Sequence, residues 1–122
     1  MIFTNKRKYE RFDFARELIV SAEIPGDKRS IEYYAKTINI SRGGILFYSI
    51  AEFNEKTSCR VNFKSNNSLK VESTGKILRE VKENRPDFIK ENEHMYALEF
   101  SKLVSEDELQ KILKTHLEVG AG

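Results

Sequence analysis

Two short runs of the sequence combine side chains that can grip a small, planar, doubly anionic ligand. The first run holds two arginines four residues apart, Arg7 and Arg11. The second run contains Asn39, Ser41 and the pair Gly43-Gly44. A guanidinium fork can pair bidentately with anionic oxygens or lie flat on an aromatic ring. A carboxamide both donates and accepts hydrogen bonds, so the two runs predict a binding site.

Taken in this order, the runs R-x-x-x-R and N-x-S-x-x-G resemble the PilZ domain, a family of bacterial receptors for the second messenger cyclic di-GMP. The resemblance extends over about residues 5–118, because the strand that leads out of Gly44 and the segment 96–100 are also similar to the family. The sequence departs from the family pattern at Ala97, where Gly is frequent, and at Asn39, where Asp is commoner.

The resemblance implies which residues bind cyclic di-GMP. In the family, the matching arginines hold phosphate and guanine, and the matching Asn or Asp, Ser and Gly residues line the guanine site. The residues implied here are Arg7, Arg11, Asn39, Ser41, Gly43 and Gly44. Weaker candidates are Lys6, Arg42 and Ala97.

Strand geometry explains how the second run could face a ligand. In an extended strand, Asn39 and Ser41 project to one face, while Ile38 and Ile40 project to the other. The isoleucines can then enter the core as the polar pair faces outward. The pair Gly43-Gly44 permits positive φ and the close approach of a base to the backbone.

Alternation of apolar and polar residues predicts that most of the chain forms β-strands. The predicted strands cover residues 16–24, 31–41, 44–50, 58–64, 69–82 and 93–101. Gly75 is predicted to make a bulge or bend in the fifth of them. Together with the resemblance, this pattern predicts a mainly β fold, a six-stranded antiparallel PilZ-like β-barrel with a C-terminal α-helix packed on it.

The segments that flank the barrel also have distinct signals. A single PilZ-like domain over residues 1–122 is predicted, with a basic ligand-binding arm at 1–15, the barrel at 16–101 and a helix at 104–119. The run from Ser105 to Glu108 is a capping box, and Val104 can pack on Leu109 as a hydrophobic staple. The apolar stripe of the helix is predicted to cover the barrel; a partner-binding helix is the alternative.

Composition limits the class of protein. The chain has 122 residues, of which 39% are hydrophobic and 33% charged, as expected for one ordinary domain. Its net charge is only +2, and residues 1–16 hold five basic residues against two acidic ones. Its only cysteine, Cys59, is predicted to be a small buried residue. With no apolar span and no leader, no membrane insertion and a cytoplasmic location are expected.

The sequence offers few groups for catalysis or metal binding. Its histidines, His94 and His116, have no second ligand at a metal-binding spacing. It has neither a glycine-rich phosphate loop before a helix nor a nucleophile elbow. We therefore expect no enzyme activity, no metal site and no cofactor apart from the ligand.

Three functions remain, and the first is favoured. The chain would be a stand-alone cyclic di-GMP receptor, a monomer or weak homodimer, that passes the signal to an unidentified downstream effector protein. The alternative is a PilZ-like protein-interaction module that does not bind the nucleotide. A third is a barrel that binds single-stranded nucleic acid on aromatic platforms. The near-neutral charge outside residues 1–16 predicts no DNA or RNA partner.

Overall fold

The computed structural model describes residues 9–23, 26, 29–63 and 71–121, with the side chains of residues 71 and 114–121 outside that description. Seven strands precede one helix. They are β1 (Phe12–Asp13), β2 (Glu17–Glu23), β3 (Ser30–Ser41), β4 (Gly44–Ser49), β5 (Ser58–Phe63), β6 (Val71–Glu80), β7 (His94–Phe100) and α1 (Glu106–Ala121). None of the described residues belongs to a helix long and apolar enough to cross a membrane.

The six longer strands form a closed antiparallel barrel. Their order is β3-β2-β5-β6-β7-β4, and pairing of β3 with β4 closes the ring. Closure gives each of these strands a neighbour on both sides, which limits edge-to-edge association with other chains. The predicted six-stranded antiparallel barrel with a C-terminal helix is confirmed.

The two-residue strand β1 was not anticipated, because two residues carry no periodicity. It pairs Phe12 with Ile40 and Asp13 with Asn39, on the outer edge of β3. The amide of Phe14 then donates to the carbonyl of Ile38 at 3.0 Å, and the Phe14 side chain is 2% exposed. The end of the predicted basic arm is therefore fastened to β3 beside the second motif.

Inward-facing side chains fill the barrel. Phe47 is fully buried, and its ring centroid lies 6.0 Å from Phe53 and 5.7 Å from Tyr96. The hydroxyl of Tyr96 accepts a hydrogen bond from the Phe53 amide at 2.9 Å, which fixes the loop after β4 against the core. Cys59 is buried as predicted, and its burial, with a smaller contribution from the charge of Glu23, raises the pKa of the thiol to about 11.

Two β-bulges interrupt the alternation. In β3 the pairing with β4 shifts between Thr37 and Asn39, so Ile38 is the extra residue. Thr37 is consequently buried, and Ile38, which we expected in the core, is half-buried on the outside. In β6 the shift falls between Ile77 and Arg79. The bulge of the fifth predicted strand is thus three residues beyond Gly75.

Gly75 has a different role from the one predicted. It pairs with Phe100 of β7, and a Cβ at this position would overlap the carbonyl oxygen of Glu99. It therefore allows the backbones of β6 and β7 to approach, because no side chain stands between them.

The helix α1 packs on the barrel through the predicted stripe. Leu109 and Ile112 are 1% and 2% exposed, and Leu113 packs against the same core cluster. The Ser105 hydroxyl accepts a hydrogen bond from the Glu108 amide at 3.1 Å and donates to the Glu108 carboxylate at 3.3 Å. Val104, immediately before the cap, is 4% exposed in the same cluster as Leu109.

Candidate functional site

The outer face of four neighbouring strands carries four of the predicted binding residues, Asn39, Ser41, Gly44 and Ala97, in two cross-strand rows. In the first row, Asn39 of β3 pairs with Leu46 of β4, Leu46 pairs with Ala97 of β7, and Ala97 pairs with Arg79 of β6. In the second row, Ser41 pairs with Gly44, Gly44 with Glu99 and Glu99 with Lys76. Paired residues on one face lie about 5 Å apart, so each row is a nearly continuous strip of surface.

A cavity of about 540 Å³ lies over this face. Cavities of this size are typical of small-molecule sites. Of the predicted residues, those that line it are Arg11, Asn39, Ser41, Gly43, Gly44 and Ala97. Arg7 and Lys6 lie outside the described residues. The cavity therefore brings Arg11 of the first motif together with the second motif on the outside of the barrel, where β1 holds Arg11 beside the end of β3.

The turn between β3 and β4 is held by its own polar groups. The amide of Gly43 donates to the Ser41 hydroxyl at 3.2 Å, and the Gly43 carbonyl accepts from the Phe100 amide at 2.9 Å. Part of the hydrogen-bonding capacity of Ser41 is therefore used within the turn. The second lone pair of the hydroxyl can still serve a ligand.

Gly44 is needed for a reason that the sequence did not reveal. Neither Gly43 nor Gly44 has the positive φ that glycine permits. A Cβ at Gly44 would overlap the carbonyl oxygen of Leu98 and crowd the Cα of Glu99. The absent side chain makes room for the backbone of β7, which passes where we expected a ligand base to approach.

Arg42, a weaker candidate, is engaged away from the cavity. Its Nε donates to the Val104 carbonyl at 2.8 Å, and the Val104 amide donates to the Arg42 carbonyl at 2.9 Å. The guanidinium also lies 5.5 Å from the centroid of the Tyr9 ring. Arg42 thus fastens the β3–β4 turn to Val104, two residues before α1.

Sequence reasoning did not identify the far wall of the cavity. Arg79, Glu83 and Asn84 line it, beyond the first-row residue Ala97. Without a bulge, alternation from the buried Ile77 would turn Arg79 inward, and the bulge at Leu78 instead turns it outward. The sequence did not indicate that Arg79 faces outward, because a bulge is set by the pairing of two strands and leaves no consistent pattern in the sequence of either one.

An ion pair closes this far wall. The Nη1 atom of Arg79 donates to Oε1 and Oε2 of Glu83 at 2.9 and 3.4 Å. Both side chains are 55% exposed. The hydrogen bond from Arg79 lowers the pKa of the Glu83 carboxyl below its ordinary value. The pair is therefore charged near neutral pH but loosely held, since water competes for both partners.

The aromatic residues considered for nucleic-acid stacking do not share one surface. Phe47 is fully buried, and the partly buried Tyr33 ring packs edge-on to Phe53 at 5.2 Å, against the barrel cluster. Tyr34 is 74% exposed, and Tyr48 stands against Phe88 at 5.6 Å. A continuous stacking platform needs several rings on one groove, and these four residues do not supply it.

The described side chains that line the cavity can bind a ligand through hydrogen bonds and charge. It offers guanidinium, carboxamide, hydroxyl and backbone groups around a partly apolar floor. Among the described residues, no group of three or more His, Cys, Asp or Glu side chains is arranged to hold a metal ion. These donors and acceptors can orient a polar, aromatic ligand through directed hydrogen bonds.

Comparisons with known proteins agree with this architecture. Among solved structures, the Bacillus subtilis inhibitor of motility (MotI/DgrA) matches with a TM-score of 0.62 and 22% identity over 94% of this chain. The chain spans about half of that structure, 53% of its length. The PilZ domain with c-di-GMP of YcgR from Escherichia coli matches with a TM-score of 0.57 and 11% identity, over 96% of this chain and 93% of its own.

At these identities the solved structures show the fold alone. Comparison with curated protein sequences gives no match. The family model described as the PilZ domain, however, matches residues 5–118, which span both motifs, the barrel and most of α1. The resemblance seen in the sequence is therefore confirmed, and this chain belongs to the PilZ domain family.

Proposed function

We propose that this chain is a receptor that binds cyclic di-GMP in the cavity on the outer face of β3, β4, β7 and β6. The observation that carries the proposal is that one cavity gathers Arg11 with Asn39, Ser41 and Gly44, residues from both motifs. The solved PilZ domain of YcgR with c-di-GMP, which shares this fold, supports the choice of ligand.

Each side of the cavity suits a different part of the nucleotide. Arg11 is exposed and belongs to the same arm as Arg7, so we expect the two forks to reach phosphates or a guanine edge. Asn39 stands on β3 with a carboxamide that can meet both donors and acceptors of a base. The strand β1, which pairs Asp13 with Asn39, keeps Arg11 close to this carboxamide.

The binding test is calorimetric titration of the full chain with cyclic di-GMP. Wild-type protein should give saturable heat, and its stoichiometry gives the number of nucleotides per chain. Arg7→Ala and Arg11→Ala should each weaken binding roughly 10- to 100-fold, the effect of losing a bidentate pair. Arg60→Ala is the matched control, because Arg60 is also exposed but pairs with Glu72 at 3.5 Å and does not line this cavity.

The titration also separates the alternatives. Saturable binding that survives in both motif variants would mean that the nucleotide uses another surface. No heat and no thermal shift would favour the protein-interaction module that does not bind the nucleotide. Oligonucleotide binding with a steep salt dependence would revive the nucleic-acid barrel.

We propose that a receptor of this kind acts as a regulatory module and not as an enzyme, and that it passes the signal to a downstream effector protein. The proposed setting is the cytoplasm, with the chain as a monomer or weak homodimer. Exposed apolar side chains outside the cavity, Tyr34 at 74%, Ile50 at 68% and Phe88 at 59%, offer surface for such a partner. Sedimentation with and without cyclic di-GMP tests whether the ligand changes the oligomeric state.

A further inference from the structure

The ion pair between Arg79 and Glu83 stands inside the cavity proposed to bind the nucleotide. Both residues line its far wall, across the first row from Asn39. Three interstrand steps of about 4.8 Å separate β3 from β6, so Asn39 and Arg79 face each other across roughly 14 Å of curved surface. This distance suits a ligand as long as a dinucleotide. The long side chains on both walls reduce the gap that the ligand has to bridge.

The charges of the cavity also need an explanation. Among the described residues that line it, Arg11 and Arg79 are opposed by Glu83 and Glu99. A cavity whose described charges balance gives little attraction to a dianion. Displacing the Glu83 carboxylate from the cavity would leave these described charges with an excess of one positive charge, which favours a dianion.

The geometry of the pair makes such an exchange easy. Both hydrogen bonds to Glu83 leave from Nη1, although a guanidinium offers five N–H donors in a planar fork. An ion pair this exposed contributes little to stability, so replacing one anionic partner by another costs little. Glu83 follows the last paired residue of β6, Glu80, and belongs to the connection to β7, where the next residue, Asn84, has a φ of 55°.

We propose that Arg79 is a further nucleotide-binding residue and that Glu83 is its built-in competitor, holding the guanidinium until the ligand displaces the carboxylate. This inference rests on the proposed function, because it assigns two more residues to the same site. The Glu83 carboxylate stands in for the paired acceptors of the ligand, either phosphate oxygens or the O6 and N7 atoms of a guanine.

A double-mutant cycle with cyclic di-GMP as the probe tests the exchange. Arg79→Ala should weaken binding roughly 10-fold or more, since the fork is lost. Glu83→Gln should tighten binding about two- to fivefold, because the competing carboxylate is removed from an exposed pair. In the double variant the gain from Glu83→Gln should disappear, because there is no longer a guanidinium to release.

A matched pair on another surface controls for general charge effects. Arg60 and Glu72 form an exposed ion pair with side chains 58% and 51% accessible, outside the cavity. Arg60→Ala and Glu72→Gln should each leave the affinity within twofold of wild type. Arg79→Lys distinguishes the acceptors, since an ammonium keeps a phosphate contact but cannot reproduce the fork on a guanine edge. Circular dichroism melts verify that each variant is folded.

The outcomes separate this inference from the proposed function. Wild-type binding that is lost in Arg11→Ala while Arg79→Ala binds normally would overturn the role of Arg79 and leave the receptor intact. If the tighter binding caused by Glu83→Gln persists in the double variant, Glu83 acts only by repelling the anionic ligand. This result would overturn its role as a competitor for Arg79. Binding by Glu83→Gln but not by wild type would support the competitor strongly. No binding by either protein would overturn both proposals together.

Discussion

The inner and outer faces of the same strands differ in how tightly their residues are held. On β4 and β7, the inward residues Phe47 and Leu98 are at most 2% exposed and lie in one apolar cluster. Their outward neighbours, Leu46 and Ala97, line a cavity open to solvent. Because the barrel wall is a single β-sheet, residues that face the core alternate with residues that face the site along each strand. Adjacent residues should therefore respond to substitution in opposite ways, the inner ones through folding and the outer ones through binding.

The sharpest test of this difference substitutes two consecutive residues of β4. Phe47→Ala removes a fully buried ring that packs on Phe53 and Tyr96, and it should lower the free energy of unfolding by about 3–5 kcal/mol. Leu46→Ala is the control on the outer face and should cost less, about 1–2 kcal/mol, because its side chain is only partly buried. Urea unfolding measures both. Equal losses would show that the outer face also carries the fold.

A second pair of variants tests whether one residue can affect both folding and ligand binding. Gly44→Ala places a methyl group on the Leu98 carbonyl of β7, and backbone cannot move aside as a side chain can. The expected loss is about 2–3 kcal/mol, with weaker ligand binding as β4 and β7 separate. Gly43→Ala is the neighbouring control, since its Cβ would stand 3.5 Å from the Tyr9 ring, an ordinary contact. A stable Gly44→Ala variant that fails only in ligand binding would contradict this assignment.

The main strands could be predicted because alternation is local. Within the described part of the chain, each predicted strand is found with bounds shifted by no more than a few residues; predicted strand positions 24, 64, 69 and 70 lie outside it. The capping serine of α1 was identified from four letters of sequence. The positions that failed are those decided by a second strand. Ile38 and Leu78 are bulges, and a bulge depends on the register of the partner strand.

The residues of the site also divide into those that a local pattern reveals and those whose position depends on another strand. Arg11, Asn39 and Ser41 lie within linear motifs, so the sequence brought them forward together. Arg79 comes from a strand about 40 positions beyond Asn39, and only the closed barrel with the bulge before Arg79 brings it to the same cavity. The role of Gly44 was misassigned for a similar reason, since the crossing of β7 is invisible in the β3–β4 turn.

A buried polar residue at the first bulge gives a prediction of intermediate size. The Thr37 hydroxyl donates to the Phe14 carbonyl and accepts from the Arg16 amide at 2.9 Å, while Thr37 itself is 2% exposed. Thr37→Val should lower the free energy of unfolding by about 1–2 kcal/mol, because both backbone groups lose their partner. Thr37→Ser keeps the hydroxyl and should cost less than about 1 kcal/mol. If chemical denaturation ranks serine below valine, packing outweighs the hydrogen bonds.

The same variant sharpens the comparison between the two faces through the N-terminal arm. The hydrogen bonds of Thr37 secure the segment between β1 and β2, which lies just after Arg11. Loosening this segment frees the arm that carries both motif arginines. Thr37→Val should therefore weaken cyclic di-GMP binding as well, although Thr37 does not line the cavity.

The smallest expected effect is also the one in which stability and ligand binding change in opposite directions. Ala97→Gly removes a methyl group from the floor of the cavity, between Leu46 and Arg79 in the first row. Glycine in a strand raises the entropy cost of folding, so the free energy of unfolding should fall by about 0.5–1 kcal/mol. Binding of cyclic di-GMP should tighten, since a base could then approach the β7 backbone more closely. Paired melts and titrations measure both quantities, and a loss of affinity in a folded variant would show that the methyl group supports the ligand by contact and does not hold it away.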